Sequence, residues 1–137
     1  MDDYVTRFNR TGRALGLGPL LEHEVEDKRG AGMAGEAALL RRACPDGALC
    51  VVMDERGAVM DSPGFAARLA GWRDQGVGPV AFFIGGADGL AEDLRGEATL
   101  ALSFGAMVWP HALVRVMLAE QLYRAASILA GSPYHRA

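Results

Sequence analysis

Three stretches of this chain bring together residues that can do chemistry. The first is Ile84-Gly85-Gly86-Ala87-Asp88-Gly89-Leu90. Glycines lacking a Cβ let a backbone approach a ligand or take φ > 0, although a tight turn between strand and helix accounts for them equally well. No Gly-Lys-Ser/Thr follows and no G-x-G-x-x-G is present, so neither a phosphate-cradling P-loop nor a dinucleotide fingerprint is supported. The second stretch is Phe104-Gly105-Ala106-Met107-Val108-Trp109-Pro110-His111. Its small and apolar residues suit wrapping a purine, with backbone amides making the polar contacts; a packed crossover loop is the structural alternative. The third is the tail, Pro133-Tyr134-His135-Arg136. There a base can stack on Tyr134, Arg136 can pair a phosphate, and His135 can assist proton removal. Chain ends are also where fraying concentrates.

The elements that must position these stretches alternate helix and strand, as in an α/β domain with a mostly parallel sheet. An amphipathic helix is expected over Asp3 to Leu15, ended by Gly16-Leu17-Gly18-Pro19. A short strand is read at Leu20 to Val25, where glutamates alternate with Leu21, His23 and Val25. A flexible glycine-containing loop follows at 28–32, then a short helix over Ala34 to Ala43. Ala48 to Met53 is a continuous apolar run, the mark of a strand covered on both faces, and it is expected to stop at Asp54-Glu55-Arg56-Gly57. Asp61 or Ser62 caps the next helix, with Pro63 in its first turn. Pro79 to Ile84 and Thr99 to Ser103 read as further strands, with a short helix over Leu90 to Glu97 between them.

The longest helix is expected from Pro110 to about Ala130, terminated by Gly131-Ser132-Pro133. Leu113, Val114, Val116, Met117, Leu118, Leu122, Tyr123, Ile128 and Leu129 cover nearly its whole circumference. A helix apolar all round must be buried on all sides. One sheet covers only one side of it, so the pattern predicts a homodimer through this helix, with loops over the second face as the alternative. Glu120 and Arg124 form an i,i+4 pair on the part left exposed.

With 137 residues, half of them apolar, the chain suits one domain, residues 1–137, with a real core. No apolar run approaches the roughly 18–20 residues of a membrane span, and the acidic start lacks the layout of a signal peptide. A soluble cytoplasmic protein is the expectation. Cys44 and Cys50 sit in no metal-ligand spacing and read as small buried residues, so no structural metal is expected. The net charge of −3 argues against a general nucleic-acid binder. From His111 onward, however, three arginines face one acid, so a polyanion would meet the C-terminal end. The single lysine is Lys28, which leaves phosphate contacts to arginine.

In order and spacing, five segments resemble the ribosomal RNA large subunit methyltransferase H family, of the SPOUT class. They are Phe83 to Leu90, Leu102-Ser103, Pro110 to Val116, Glu120 to Ala125 and Pro133 to Arg136. Asp61-Ser62-Pro63 also fits, and a weaker likeness extends back to Tyr4. The resemblance implies a SPOUT-type, trefoil-knotted α/β fold with a mostly parallel sheet flanked by helices. It also implies a homodimer, S-adenosylmethionine as cofactor, and methylation of N3 of a pseudouridine in large-subunit ribosomal RNA on the assembled ribosome. By position it implies cofactor contacts from Met53, Gly85, Gly86, Phe104, Gly105, Ala106, Met107, Val108 and Trp109. RNA contacts fall to Arg115, Tyr134, His135 and Arg136, with His135 the candidate base. No metal and no membrane partner are implied.

One departure stands out. Members of that family begin with a strand and a glycine-containing turn, whereas this sequence starts inside the first helix; either the start lies upstream or the first family strand is absent. A non-catalytic, dimeric ribosome- or RNA-binding descendant of the enzyme is the alternative function.

Overall fold

The apolar run at 48–53 becomes the middle strand of the sheet. In the computed structural model, which describes residues 2–25, 30, 32–86 and 89–136, eight elements follow one another along the chain. They are α1 (Asp2–Arg13), α2 (Gly32–Ala43), β1 (Leu49–Val59), α3 (Ser62–Asp74), β2 (Val80–Phe83), α4 (Glu92–Glu97), β3 (Leu100–Ser103) and α5 (His111–Leu129). β1 pairs in parallel with β2 and with β3, giving the order β2-β1-β3. Val51 and Val52, at the centre of both ladders, are completely buried, as expected for β-branched residues in a parallel sheet covered on both faces.

The chain divides into two compact units. One comprises His23–Val59 and Val77–His111 and holds the sheet with α2 and α4. Its core is Ala37, Val52, Phe83, Leu90 and Leu94, with Leu40, Ala81 and Ala101 packed against it. Burying a side chain such as Phe83 or Leu94 contributes about 1.5–3 kcal/mol. Arg41 of α2 reaches Asp93 and Glu97 of α4, each at 3.1 Å. These exposed pairs orient the two helices more than they stabilise them.

The other unit comprises Met1–Glu22, Met60–Gly76 and Ala112–Ala137, and so holds α1, α3 and nearly all of α5. The Asp61 carboxylate accepts from the Gly64 amide at 2.8 Å and caps α3, with Pro63 in the first turn. Phe65, Leu69 and Trp72 are buried as their spacing requires. Ser62 Oγ donates to Gln121 Oε1 at 2.7 Å, joining α3 to α5. Arg73 Nη1 donates to the Leu15 carbonyl at 2.9 Å, joining α3 to the end of α1.

Two expectations are corrected. Leu20 to Val25 is not a strand. The Asn9 side chain occupies both backbone groups of Leu20, accepting from its N–H at 2.6 Å and donating to its carbonyl. The residues after it are largely exposed, with Leu21 at 69%, so the alternating pattern marks a solvated segment. The loop expected at 28–32 lies mostly outside the described residues.

Nor does β1 stop at Asp54. It runs on to Val59 through an irregularity in which Met53 and Ala58 both register with Leu102. Asp54, nearly buried, anchors the polar segment between them. It accepts from Arg56 N and Nε, both at 3.0 Å, and from Arg95 Nη1 of α4 at 3.5 Å. Burial alone would raise the Asp54 carboxyl, but its bonds from Arg56 outweigh that and hold it below the usual carboxylate range. A charged segment therefore continues a strand because its charge is satisfied locally.

Gly57 shows how tightly this segment lies on β3: a Cβ there would sit 2.5 Å from the Ala101 carbonyl oxygen. Gly57→Val should destabilise the fold by about 1–3 kcal/mol, the usual cost of overpacking. Urea denaturation measures this, and an unchanged midpoint would contradict the close approach.

Candidate functional site

In parallel α/β sheets, ligands bind beyond the carboxyl ends of the strands. β2 and β3 flank β1, so the segments leaving their ends are two inter-strand spacings apart, roughly 10 Å.

Behind β2, the chain doubles back: Gly89 N donates to the Gly86 carbonyl at 3.0 Å, and the two residues form an isolated antiparallel bridge. Gly85 is required by this return, because a Cβ on it would lie 2.6 Å from the Gly89 carbonyl carbon. The Gly86 amide donates to Glu36 Oε1 of α2 at 3.1 Å, and a Cβ on Gly86 would meet Glu36 Oε2 at 2.7 Å. Gly85 is thus explained by the turn's own backbone, and Glu36, which spacing alone did not single out, pins the turn through the Gly86 amide. Ala87 and Asp88 lie outside the described residues.

Behind β3, buried Ser103 sets the direction of the chain. Its hydroxyl accepts from the Gly105 amide at 3.0 Å and lies within donating distance of the Gly105 and Glu55 carbonyls, at 2.8 and 3.2 Å. Gly105 has φ +118° and no atom within 4 Å of where a Cβ would stand. The loop then runs outward. Phe104 is half-buried, Ala106 is exposed, and Met107, Val108 and Trp109 are exposed by 73%, 79% and 39%. A packed crossover loop would bury such residues, so this apolar segment is free to cover a ligand or a protein surface. Met53, half-buried on β1, lies just before the irregular segment.

The tail is docked on α5 rather than frayed. Tyr134 Oη donates to Glu120 Oε2 at 2.7 Å. Its ring lies 4.6 Å from that of Tyr123, tilted by 59°, and the Arg124 guanidinium sits 4.9 Å from the Tyr134 ring centre. Arg124 grips Glu120 through Nη2 at 2.8 Å and Nε at 3.2 Å, and its Nη1 lies 3.1 Å from His135 Nδ1. Tyr123 in turn stacks on Tyr4 of α1 at 6.4 Å. Tyr123 and Arg124 engage the Tyr134 ring, and through its hydroxyl Tyr134 anchors the tail. Half-buried His135 and exposed Arg136 are what the anchored tail presents.

Burial pushes the Tyr134 phenol up to about 12, helped by its bond to the Glu120 carboxylate. Burial would raise Glu120 as well, but hydrogen bonds from Arg124 and Tyr134 prevail and hold it below its ordinary range. The i,i+4 pair read from spacing is thus a partly buried clamp, with side chains only 25% and 18% exposed.

Arg115 stands apart from the tail's hydrogen-bond network. Its Nη1 pairs with Glu22 Oε1 at 3.1 Å, and its Nε is buried without a partner among the described residues. Cys44 and Cys50 are half-buried rather than buried and line a groove at the start of β1, the opposite end from the loops. Burial, then the neighbouring Cys50, raises the Cys44 thiol. Among the described residues no group of His, Cys, Asp or Glu could hold a metal ion, and no helix is long and apolar enough to cross a membrane.

The sequence matches one family model over nearly the whole chain. The family described as predicted SPOUT methyltransferase covers residues 1–135, and the chain belongs to it. The chain is 72% identical over 134 residues to the ribosomal RNA large subunit methyltransferase H of Roseobacter denitrificans, spanning 98% of this chain and 86% of that protein. It is 68% identical over 136 residues to the protein of the same name from Ruegeria pomeroyi, spanning 99% and 87%. The one from Paracoccus denitrificans is 66% identical over 134 residues, spanning 98% and 86%. The resemblance read from the five segments is borne out, and the three-stranded parallel sheet flanked by helices agrees with an α/β SPOUT fold.

The clamp has a defined pH window. Glu120, lowered in the fold, stabilises docking above its unfolded pKa of about 4.3, and this is lost as pH falls through the folded value. Tyr134, raised in the fold, contributes fully below about 10, and this is lost as pH rises towards 12. Spectroscopic titration of the three tyrosines should show one ionising near 12, absent in Tyr134→Phe. Three phenols all ionising near 10 would show the tail undocked.

Proposed function

We propose that this chain, acting as one SPOUT domain, transfers a methyl group from S-adenosylmethionine to N3 of a pseudouridine in large-subunit ribosomal RNA. The enzyme works as a cytoplasmic homodimer on the assembled ribosome. The observation that carries this reading is the identity with the named relatives over almost the whole chain, together with the two loops that leave the flanking strands. Those loops fit an adenosine-bearing cofactor. Gly85 and Gly86 make a wall of backbone, Gly105 leaves open space, and Ala106, Met107, Val108 and Trp109 offer apolar cover, with Phe104 and Met53 half-buried beside the strand ends.

The bound cofactor supplies a methyl group on a sulfonium, already activated for displacement. Its transfer to N3 would release the N3 proton to water. The protein's contribution is orientation, which alone can supply several kcal/mol. Arg136, and Arg115 on release from Glu22, would pair phosphates, while Tyr134 holds His135 and Arg136 where the base arrives. Arginine's fork suits phosphate better than a lysine ammonium would.

The dimer is supported by how α5 is covered. Leu118, Leu122, Ala125 and Ala126 are buried within the single chain, but Leu113 is 43% exposed and Val114, Val116 and Met117 are only partly covered. The all-round burial that the apolar circumference demands is thus incomplete at the first turns, where a second copy would complete it.

Titration calorimetry with S-adenosylhomocysteine should show binding to the folded protein, and its absence would refute the cofactor assignment. Removing residues 134–137 should abolish methylation of large-subunit RNA yet leave cofactor affinity within about twofold, since a uniform loss would place the tail in folding instead. Ribosome association without methyl incorporation in the intact protein would replace the enzyme with a binding protein. Leu113→Glu should shift the protein towards monomer in sedimentation analysis, and an unchanged mass would move the interface elsewhere.

A further inference from the structure

The contact between Arg124 and His135 decides which nitrogen of the imidazole carries the proton. A guanidinium has five N–H donors and no acceptor. Arg124 Nη1 lies 3.1 Å from His135 Nδ1, so Nδ1 must present its lone pair. The proton of the neutral ring then sits on Nε2. An imidazolium, with N–H on both nitrogens, does not fit the contact. Arg124 is not free to turn away, because Glu120 holds it through two further bonds and the Tyr134 ring lies beside it. Among the described residues nothing hydrogen-bonds to Nε2, and the ring is only half-buried.

A general base needs its lone pair facing the proton it takes. Here the lone pair faces α5, and the nitrogen left for a substrate is a donor. We propose that His135 meets the substrate base as a hydrogen-bond donor through Nε2–H, with Arg124 as the positioning residue that fixes this tautomer, and that His135 does not remove the N3 proton. This rests on the methyltransferase reading above. In a uracil ring N3–H lies between two carbonyls. A donor to either oxygen stabilises the negative charge that spreads onto it as N3 loses its proton to water. The N3–carbon bond then forms as the carbon–sulfur bond breaks, and His135 begins and ends the cycle with the same proton. The chain's base thus becomes its oxyanion donor, a role set by α5 and invisible in the tail's own sequence.

Long-range proton–nitrogen correlation spectra of the full-length protein read the tautomer without any activity. The expected result is an unprotonated Nδ1 and a protonated Nε2 at His135; the opposite pattern overturns the proposal. In Arg124→Met the two tautomers should mix, and an unshifted ratio would remove Arg124 from the account. In methylation assays His135→Ala should lose on the order of 10²-fold in kcat, typical of a lost oxyanion donor. His135→Gln keeps an N–H but is no base. It should recover most of that loss, with the same rate–pH profile as the unsubstituted enzyme between about pH 7 and 9. Gln as inactive as Ala, or a profile that loses its limb, would restore the base. Failure of S-adenosylhomocysteine to bind would instead sink the methyltransferase reading, while the spectra would still report the tautomer.

Discussion

Hydrogen bonding of β1 along both of its edges is the constraint on which the candidate pocket depends. A parallel ladder holds its neighbours about 4.8 Å away on each side, so the ends of β2 and β3, and the loops that leave them, are spaced by β1, whose Met53 and Ala58 both register with Leu102. The core beneath, Ala37, Val52, Phe83, Leu90 and Leu94, keeps α2 and α4 against this sheet. Where β1 loses its regular register, the charge on Asp54 is answered by Arg56 and Arg95. The irregular segment therefore lies flat on β3 instead of peeling away. Ser103, reaching both Glu55 and Gly105, ties that segment to the start of the apolar loop.

The two glycine-bearing loops do different work despite similar composition. Gly85 is demanded by the backbone of its own turn, and the Gly86 amide is held by Glu36. Gly105 is demanded by its φ of +118°, after which the chain is released outward with Met107 and Val108 in solvent.

The tail has a separate physical basis. Glu120, Arg124, Tyr134 and His135 share their bonds so that each side chain has at least one polar partner, and partial burial strengthens those bonds relative to water. Tyr123 and Tyr4 add aromatic contact beneath. Ordering Tyr134 and His135 costs conformational entropy. The Tyr134 bond to Glu120 and the His135 contact with Arg124 offset it.

Much of this was legible from residue order. Apolar runs located all three strands because a parallel strand buried on both faces has no polar alternation to hide it, and the caps and glycine stops located the helices from α2 to α5. The segment at 20–25 misled because alternation also arises in exposed chain, and only Asn9's grip on Leu20 distinguishes the two. Polar partners separated widely along the chain, such as Glu36 with the Gly86 amide or Arg95 with Asp54, leave no periodic trace. The sequence by itself determined which residues are apolar, where the chain must turn, and which family the five segments resemble. Only the tertiary structure decided what each polar group faces: that the Tyr134 hydroxyl anchors the tail on Glu120, and that His135 turns Nδ1 towards Arg124. Hydrogen bonds are short and directional, so a side chain's role follows from the neighbour within about 3 Å, and folding alone supplies that neighbour.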